Sequence, residues 1–245
     1  GVDGGSGGFA ASNDLALTAQ RITGYDGSDT RIDAGGKLVT AQAVAPQGED
    51  LPALPDVPLG AKLALTGASI EHGGNIELPA GWLTMTAETG DLTLKDGSAI
   101  FTGGVVREFQ GANDTVKVYV AGGSATLEAR QANLTIEKNA KVDVSGKEGA
   151  DAGSLAIRVP KGTFTLLADL TGGAADKAAT VANPDTDTPW QGTLSVDAKA
   201  LSDNNAATAN DFSSLLAHVK GFGEGFALRQ RTGDVKLEAG KTIKA

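Results

Sequence analysis

The sequence predicts an all-β fold, a right-handed parallel β-helix (solenoid) with loop excursions and one short amphipathic helix. Three observations predict it: a spacing of apolar residues that recurs along the chain, alternation of apolar and polar residues around each of them, and small or turn-forming residues in between. The chain has 245 residues, including 34 glycines, and only 4% are aromatic. Glycine suits tight corners, and so few aromatic residues indicate a thin aliphatic core.

Apolar anchor residues recur with a step of seven and then eight positions. The four full copies are Leu63, Ile70, Leu78; Met85, Leu92, Ile100; Leu127, Leu134, Val142; and Leu228, Val235, Ile243. Broken copies keep only the step of seven, at Leu15 and Ile22, Ile157 and Phe164, and Leu194 and Leu201. A fixed unit repeated along a chain indicates one supersecondary element stacked on copies of itself.

Each anchor lies in a short stretch in which an apolar residue recurs two positions away, as in Leu92 with Leu94 and Leu134 with Ile136. This alternation is a strand signal. The residues between strands form tight corners, so each coil has three short strands that pair with their equivalents about 4.8 Å away in the next coil. A β-sandwich also contains many short strands, but the repeated step has no reason to recur in one.

The whole chain, 1–245, is expected to be a single β-helical segment of a longer protein, with both ends continuing into adjoining coils. Loop excursions are expected near 43–60, 103–121 and 171–192, the second with a strand at Val116, Val118 and Val120.

A helix-containing insertion is expected at 202–226. Phe212, Leu215, Leu216 and Val219 have the spacing of one helical face, which predicts a short amphipathic helix covering the solenoid. Either Asn210 or Asp211 is positioned to cap its start.

Composition excludes several classes of function. Cysteine is absent, so disulfides and thiolate metal sites are excluded. The net charge of −9 repels nucleic acids and anionic membranes. No apolar run approaches the roughly 20 residues that span a bilayer. We therefore expect no nucleic-acid partner and no transmembrane segment.

Several stretches resemble the filamentous haemagglutinin family, very large surface proteins of Gram-negative bacteria. They are residues 90–94 (GDLTL), 142–146 (VDVSG) and 233–240 (GDVKLEAG), together with the order of Gln191–Leu194, Asp211–Ser213 and Thr232–Asp234. The resemblance implies a secreted or cell-surface β-helical shaft with a structural or adhesive role, exported by two-partner secretion. It also implies an outer-membrane transporter that acts on an amino-terminal domain, whose asparagine-proline motifs are not visible here.

The partners implied by this resemblance are a host or bacterial surface glycan or protein, contacted through loops. Phe109, Pro189 and Trp190 are the candidate exposed loop contacts. We expect no catalytic, cofactor-binding or metal-binding residue. A pure spacer module without a ligand is an alternative function.

The other alternative is a polysaccharide lyase or glycoside hydrolase, which would need carboxylates stacked on one outer face. The outward positions of the second strands are mainly threonine, and Glu137 and Glu238 fall several coils apart. His72 and His218 have no evident partner in the sequence, so we expect no enzyme. The loop aspartates match no calcium-binding motif; they are Asp26, Asp29, Asp33, Asp185 and Asp187.

Overall fold

The computed structural model describes residues 4–43, 58–111, 114–175, 188–203 and 212–235. These residues form a nearly all-β solenoid of parallel sheets that closes like a barrel. The predicted solenoid of parallel strands is therefore confirmed.

The described residues contain twenty strands and one helix. In chain order they are β1 (Ser6–Ala11), β2 (Leu15–Ala19), β3 (Asp29–Ala34), β4 (Lys37–Gln42), β5 (Lys62–Gly67), β6 (Ser69–Gly73), β7 (Asn75–Glu77), β8 (Trp82–Ala87), β9 (Leu92–Leu94), β10 (Ala99–Phe101), β11 (Val105–Gln110), β12 (Thr115–Val120), β13 (Ser124–Ala129), β14 (Leu134–Ile136), β15 (Lys141–Asp143), β16 (Ser154–Leu166), β17 (Leu170–Thr171), β18 (Thr193–Ser202), α1 (Phe212–Ala217), β19 (Val219–Lys220) and β20 (Gly225–Gln230).

The strands of the shaft lie on three faces. The first face has the order β1-β3-β5-β8-β13-β16-β18-β20, and the second has β2-β4-β6-β9-β14 followed by the ends of β16 and β18. The third face has the order β7-β10-β15-β17-β19. Every neighbouring pair on these faces is parallel, so each strand bonds to its equivalent one coil away. Only the hairpin of β11 and β12 is antiparallel.

Columns of aliphatic side chains fill the interior. On the second face Leu92, Leu134 and Phe164 stand in register and are almost completely buried. Burying each such side chain contributes about 1.5–3 kcal/mol. The alternation read from the sequence therefore corresponds to inward residues stacked from coil to coil.

The first full copy has the predicted register at its second anchor, where Ile70 pairs with Leu92, but differs by two residues at the first and third anchors. Met85 pairs with Leu65, not with Leu63, and Ile100 pairs with Ile76, not with Leu78. β5 carries inward leucines at both 63 and 65, so alternation alone cannot choose between them.

The predicted first step of two broken copies is also wrong. Leu15 pairs with Leu38 on the second face, so the step from Leu15 to Ile22 runs from the second face to the third. Leu194 pairs with Leu155, whereas Ile157 pairs with Val196. In the last copy, the predicted inward anchor Val235 lies beyond β20 and is half exposed. Ile243 is outside the described residues.

Polar side chains at the corner between the first and second faces bond to the backbone of the next coil. The Asn133 N–H donates to Asp91 Oδ1 at 2.9 Å, and the Thr163 N–H donates to Asn133 Oδ1 at 2.9 Å. The Lys37 N–H donates to Asp14 Oδ1 in the same way, at 2.7 Å. These turn-forming residues therefore link successive coils, in addition to permitting the turn.

Ion pairs also join neighbouring coils. Lys95 Nζ lies 2.8 Å from Glu137 Oε1, and Arg231 Nε lies 2.7 Å from Asp197 Oδ1. The hydrogen bond from Lys95 is the main reason why the pKa of Glu137 is below its ordinary value. Such exposed pairs add little stability one by one, but opposite charges in successive coils favour one register.

The excursion at 103–121 contains the β11–β12 hairpin, and the strand expected at Val116, Val118 and Val120 is β12. The predicted helix is α1, which buries Phe212 and Leu215 and ends before Val219, a residue of β19. The Phe212 and Phe226 rings lie 5.5 Å apart, so the helix packs against the last coil of the core. Asn210 and Asp211 are outside the described residues.

One coil is skipped on the third face. The Ile22 N–H donates to Asn75 O at 2.8 Å, and the Glu77 N–H donates to Ile22 O at 2.9 Å. Ile22 belongs to the first coil and Ile76 to the third, and they form a parallel bridge. At this point the first coil is therefore bonded directly to the third.

A histidine lies inside the shaft. His72 is fully buried in β6, where its Nδ1 lies 2.6 Å from Thr40 Oγ1 and its Nε2 lies 3.3 Å from Ala99 O. Burial lowers the pKa of His72 to about 4, because desolvation disfavours the charged imidazolium. His72 is thus a satisfied core histidine with partners from two neighbouring coils.

This burial predicts that acid destabilises the fold. The ordinary pKa is 6.5 and the folded value is about 4, so the unfolded chain binds more protons between these values. The free energy of unfolding should fall as pH drops from 6.5 towards 4, and His72 accounts for about 2 kcal/mol of loss between pH 7.5 and 5. Urea denaturation followed by circular dichroism measures this loss. The double variant Thr40→Val, His72→Leu should not show this loss of stability, whereas Thr40→Val alone should still show it. Equal losses in the two variants would contradict the assignment of the loss to His72.

Candidate functional site

The long excursions leave the shaft at the corner where the chain passes from the third face to the first. We call this corner the loop edge; it comprises the described residues of 23–28, 58–61, 78–81, 102–123, 144–153, 172–192 and 221–224. At the corner between the first and second faces, by contrast, a single residue, Ala68, separates β5 from β6. Among the corners that the structure describes, the loop edge has the longest connection, residues 102–123.

Exposed hydrophobic side chains gather along the loop edge. Tyr25 is 85% exposed, Trp190 64% and Phe109 53%, and Val116 and Val118 accompany Phe109 on the hairpin. Trp82, at the first position of β8, adjoins the edge. Among the described residues, the only other exposed large hydrophobic side chains are Phe9 in the first strand and Val235 after the last. A surface collection of this kind is typical of an interaction site.

Two of the three predicted contact residues are exposed and lie on this one edge, Phe109 at the hairpin tip and Trp190 just before β18. Pro189, in contrast, is buried and is not the exposed residue we expected. Its neighbours Thr188 and Trp190 are exposed, so the indole of Trp190 is the large apolar side chain presented at this point.

Ion pairs join the hairpin to two other corners of the loop edge. Arg107 Nη2 lies 3.2 Å from Asp26 Oδ1, in the corner of an earlier coil. Lys117 Nζ lies 3.8 Å from Glu148 Oε2 in a later corner, and it also pairs across the hairpin with Glu108 Oε1 at 2.9 Å.

A shallow depression of about 320 Å³ lies beside Trp190. Its floor is glycine backbone, because successive coils approach so closely that a Cβ on Gly123 would clash with Gly81 O and a Cβ on Gly153 would clash with Gly123 O. Polar side chains line its sides: Asp151, Ser154, Gln191, Thr193 and Glu224.

A second depression of about 490 Å³ lies on the third face. His218 Nδ1 lies 3.0 Å from Asp169 Oδ1, and both residues line it together with Lys138 and Lys141. If Nδ1 carries the proton and donates it to the carboxylate, Nε2 of His218 is left as an acceptor. His218, which has no evident partner in the sequence, thus has one from the preceding coil.

Two of the aspartates considered for calcium are held by arginines. Asp26 accepts from Arg107, and Asp33 accepts from Arg31 at 2.6 Å, which lowers the pKa of Asp33. Asp29 is the exposed first residue of β3. Asp185 and Asp187 lie outside the described residues. Within the described ranges, no group of three or more histidine, aspartate or glutamate side chains could hold a metal ion.

Comparisons with protein-family models, curated proteins and solved structures find no match to this chain. No helix in the described part of the chain is both long and apolar enough to cross a membrane.

Sequence reasoning missed Tyr25 and the pairing of His218 with Asp169. The third-face register aligns Leu170 with Val219, so the residues just before them, Asp169 and His218, are neighbours in adjacent coils. A long insertion and α1 separate these two residues along the chain, so the spacing of the sequence does not predict that they pair.

The position of Trp190 depends on one carboxylate. The Trp190 N–H donates to Asp151 Oδ1 at 2.9 Å, and a hydrogen bond to a charged group contributes about 1.5–3 kcal/mol. The variant Asp151→Ala should therefore raise the hydrogen-exchange rate of the Trp190 amide by roughly tenfold or more, measured by mass spectrometry. Asp151→Asn keeps an acceptor and should stay near the wild-type rate. An unchanged rate in the alanine variant would show that the bond does not hold this segment.

Proposed function

We propose that this chain is a structural and adhesive segment of a secreted, cell-surface filamentous protein. Its shaft acts as a stiff rod, and the loop edge carries the contacts for attachment. The observation that supports this most is the distribution of exposed aromatic and aliphatic side chains. Most of those that the structure describes lie along one edge of the shaft, and Phe9 and Val235 are the described exceptions.

The arrangement suits attachment for a physical reason. Equivalent positions in successive coils are about 4.8 Å apart, so the edge from Tyr25 to Trp190 extends over several coils and offers separated contact points. Interaction surfaces commonly depend on a few aromatic residues among many weak contacts. The parallel ladders on three faces hold these residues at fixed distances from one another.

The finer features of this proposal rest on the family resemblance of the sequence. They are a right-handed coil, membership of the filamentous haemagglutinin family, adjoining coils in a longer chain, and two-partner secretion through an outer-membrane transporter acting on an amino-terminal domain. Blotting surface and culture fractions of the parent bacterium for these residues tests them together. A very large surface or secreted polypeptide is expected, and an intracellular one would contradict the localisation.

Attachment is tested with beads that carry the segment, applied to cultured epithelial cells and to bacterial cells. Substituting Tyr25→Ser, Phe109→Ser and Trp190→Ser together should reduce the number of attached beads by roughly tenfold, as expected for loss of the main contact residues. The matched control substitutes outward positions away from the edge, of which Lys161 is exposed and the two threonines are half-buried: Thr93→Ser, Thr135→Ser and Lys161→Ser.

Equal attachment by both variants would place the contacts elsewhere on the rod. No attachment by the unsubstituted segment to either cell type would favour the pure spacer module, in which the rod has no ligand.

A second candidate, a polysaccharide-cleaving solenoid, is favoured by one observation, the Asp169–His218 pair in its depression beside Lys138 and Lys141. An imidazole oriented by a carboxylate can act as a general base. In cleavage by β-elimination, Nε2 of His218 would take the proton next to a uronate carboxylate. The electron pair then forms a carbon–carbon double bond as the glycosidic C–O bond breaks, and the departing oxygen takes a proton from water.

This candidate is tested with polygalacturonate and hyaluronate, following the ultraviolet absorbance of the new unsaturated ends. If the candidate is right, the chain releases such ends and His218→Ala lowers the rate by roughly 100-fold or more, whereas Lys199→Ala does not. Absence of any release by the unsubstituted chain eliminates it.

A further inference from the structure

Trp190 is an exposed indole on a rigid support. The backbone N–H of Trp190 donates to Asp151 Oδ1, and the backbone carbonyl oxygen of Trp190 accepts from the Ala152 N–H at 2.9 Å. The next side chain, Gln191, makes two 3.0 Å hydrogen bonds with the backbone of Ala174. Because the segment is fixed on both sides, little conformational entropy is lost when a ligand covers the ring. An indole that is 64% exposed on a backbone held in this way is therefore well suited to binding.

The depression beside the indole is polar and negatively charged. It is lined by the carboxylates of Asp151 and Glu224 and borders the hydroxyls of Ser154 and Thr193. Within the described part of the chain, no lysine, arginine or histidine lines it, and the Glu224 carboxylate has no partner there. The site therefore offers mainly hydrogen-bond acceptors, and it repels anions.

These features fit one class of ligand. A pyranose ring has an apolar face of C–H groups, which packs on the negative π-face of an indole. Its edges carry hydroxyl groups, which donate to carboxylates in charge-assisted hydrogen bonds. The flat glycine floor leaves room for a ring beside Trp190, and about 320 Å³ lies at the lower end of the range for small-ligand sites.

We propose that the Trp190 depression binds a neutral sugar ring of a surface glycan, with the ring stacked on the indole and its hydroxyl groups donating to Asp151 and Glu224. Sialylated, uronate-containing or sulfated glycans are disfavoured by the same two carboxylates. The proposal rests on the adhesive function proposed above and names the ligand class for one of its contact points.

The chain itself offers a matched control. Trp82 is the only other tryptophan, is 45% exposed and lies outside the depression. The Lys62 ammonium lies 5.7 Å from the centre of its ring, so its face already has a cationic neighbour. Removing Trp82 subtracts an exposed indole from the same edge without altering the proposed site.

The test starts with the folded chain on an array of neutral, sialylated and sulfated glycans. The neutral glycan with the strongest signal is then titrated in solution by calorimetry, with a heparin tetrasaccharide as the anionic probe. We expect the chain to bind the neutral glycan. Trp190→Ala should weaken this binding by roughly tenfold or more, whereas Trp190→Phe should largely keep it. Trp82→Ala should leave the affinity unchanged, and Glu224→Gln should weaken neutral binding while reducing discrimination against heparin. Circular dichroism checks that each variant is folded.

Binding restricted to anionic glycans, or neutral binding that Trp190→Ala leaves intact, would overturn the proposal. So would the absence of any glycan binding. If beads still attach through the loop edge in that last case, this inference fails while the adhesive function stands. If attachment is also absent, the proposed function itself fails.

Discussion

The parallel hydrogen-bond ladder between successive coils is the constraint on which the rest of the structure depends. A short strand such as β9, only three residues long, cannot satisfy its backbone groups by itself and must find partners in the coils above and below. That requirement holds equivalent residues in line, so inward side chains such as Leu92 and Leu134 stack in columns. The same alignment lets Asp91 and Asn133 bond to the coils that follow them.

The ladder also determines where the chain can accept insertions: in the connections at the loop edge, but not within the paired strands. Between the first and second faces the connections are too short to add chain without disturbing both sheets. At the loop edge the chain has left one sheet and not yet entered the next, so a hairpin can be inserted between β10 and β13 while their pairing is kept. Exposed side chains that would be misplaced on a sheet face are tolerated there.

Sequence reasoning predicted the features that follow from local alternation: the second-face anchors Leu92 and Leu134, the corner at Asp91, the strand β12 and the approximate position of α1. It failed where two residues fit the alternation equally well, as do the two inward leucines of β5, so that the register could not be chosen. It also failed where a contact crosses an insertion of unknown path, as for Asp169 and His218. Pro189 was misplaced because a polar loop composition does not say which residue of the loop turns inward. The loop edge itself emerges only when the coils are stacked.

The bridge from Ile22 to Ile76 has a consequence for the orientation of the first coil. Over the first three coils the first face contains β1, β3 and β5, whereas on the third face Ile22 of the first coil bonds directly to Ile76 of the third. The two faces therefore differ at this point by one strand spacing, about 4.8 Å. A difference of this kind inclines the first coil towards the third face, so a further coil stacked on it would start from a tilted base.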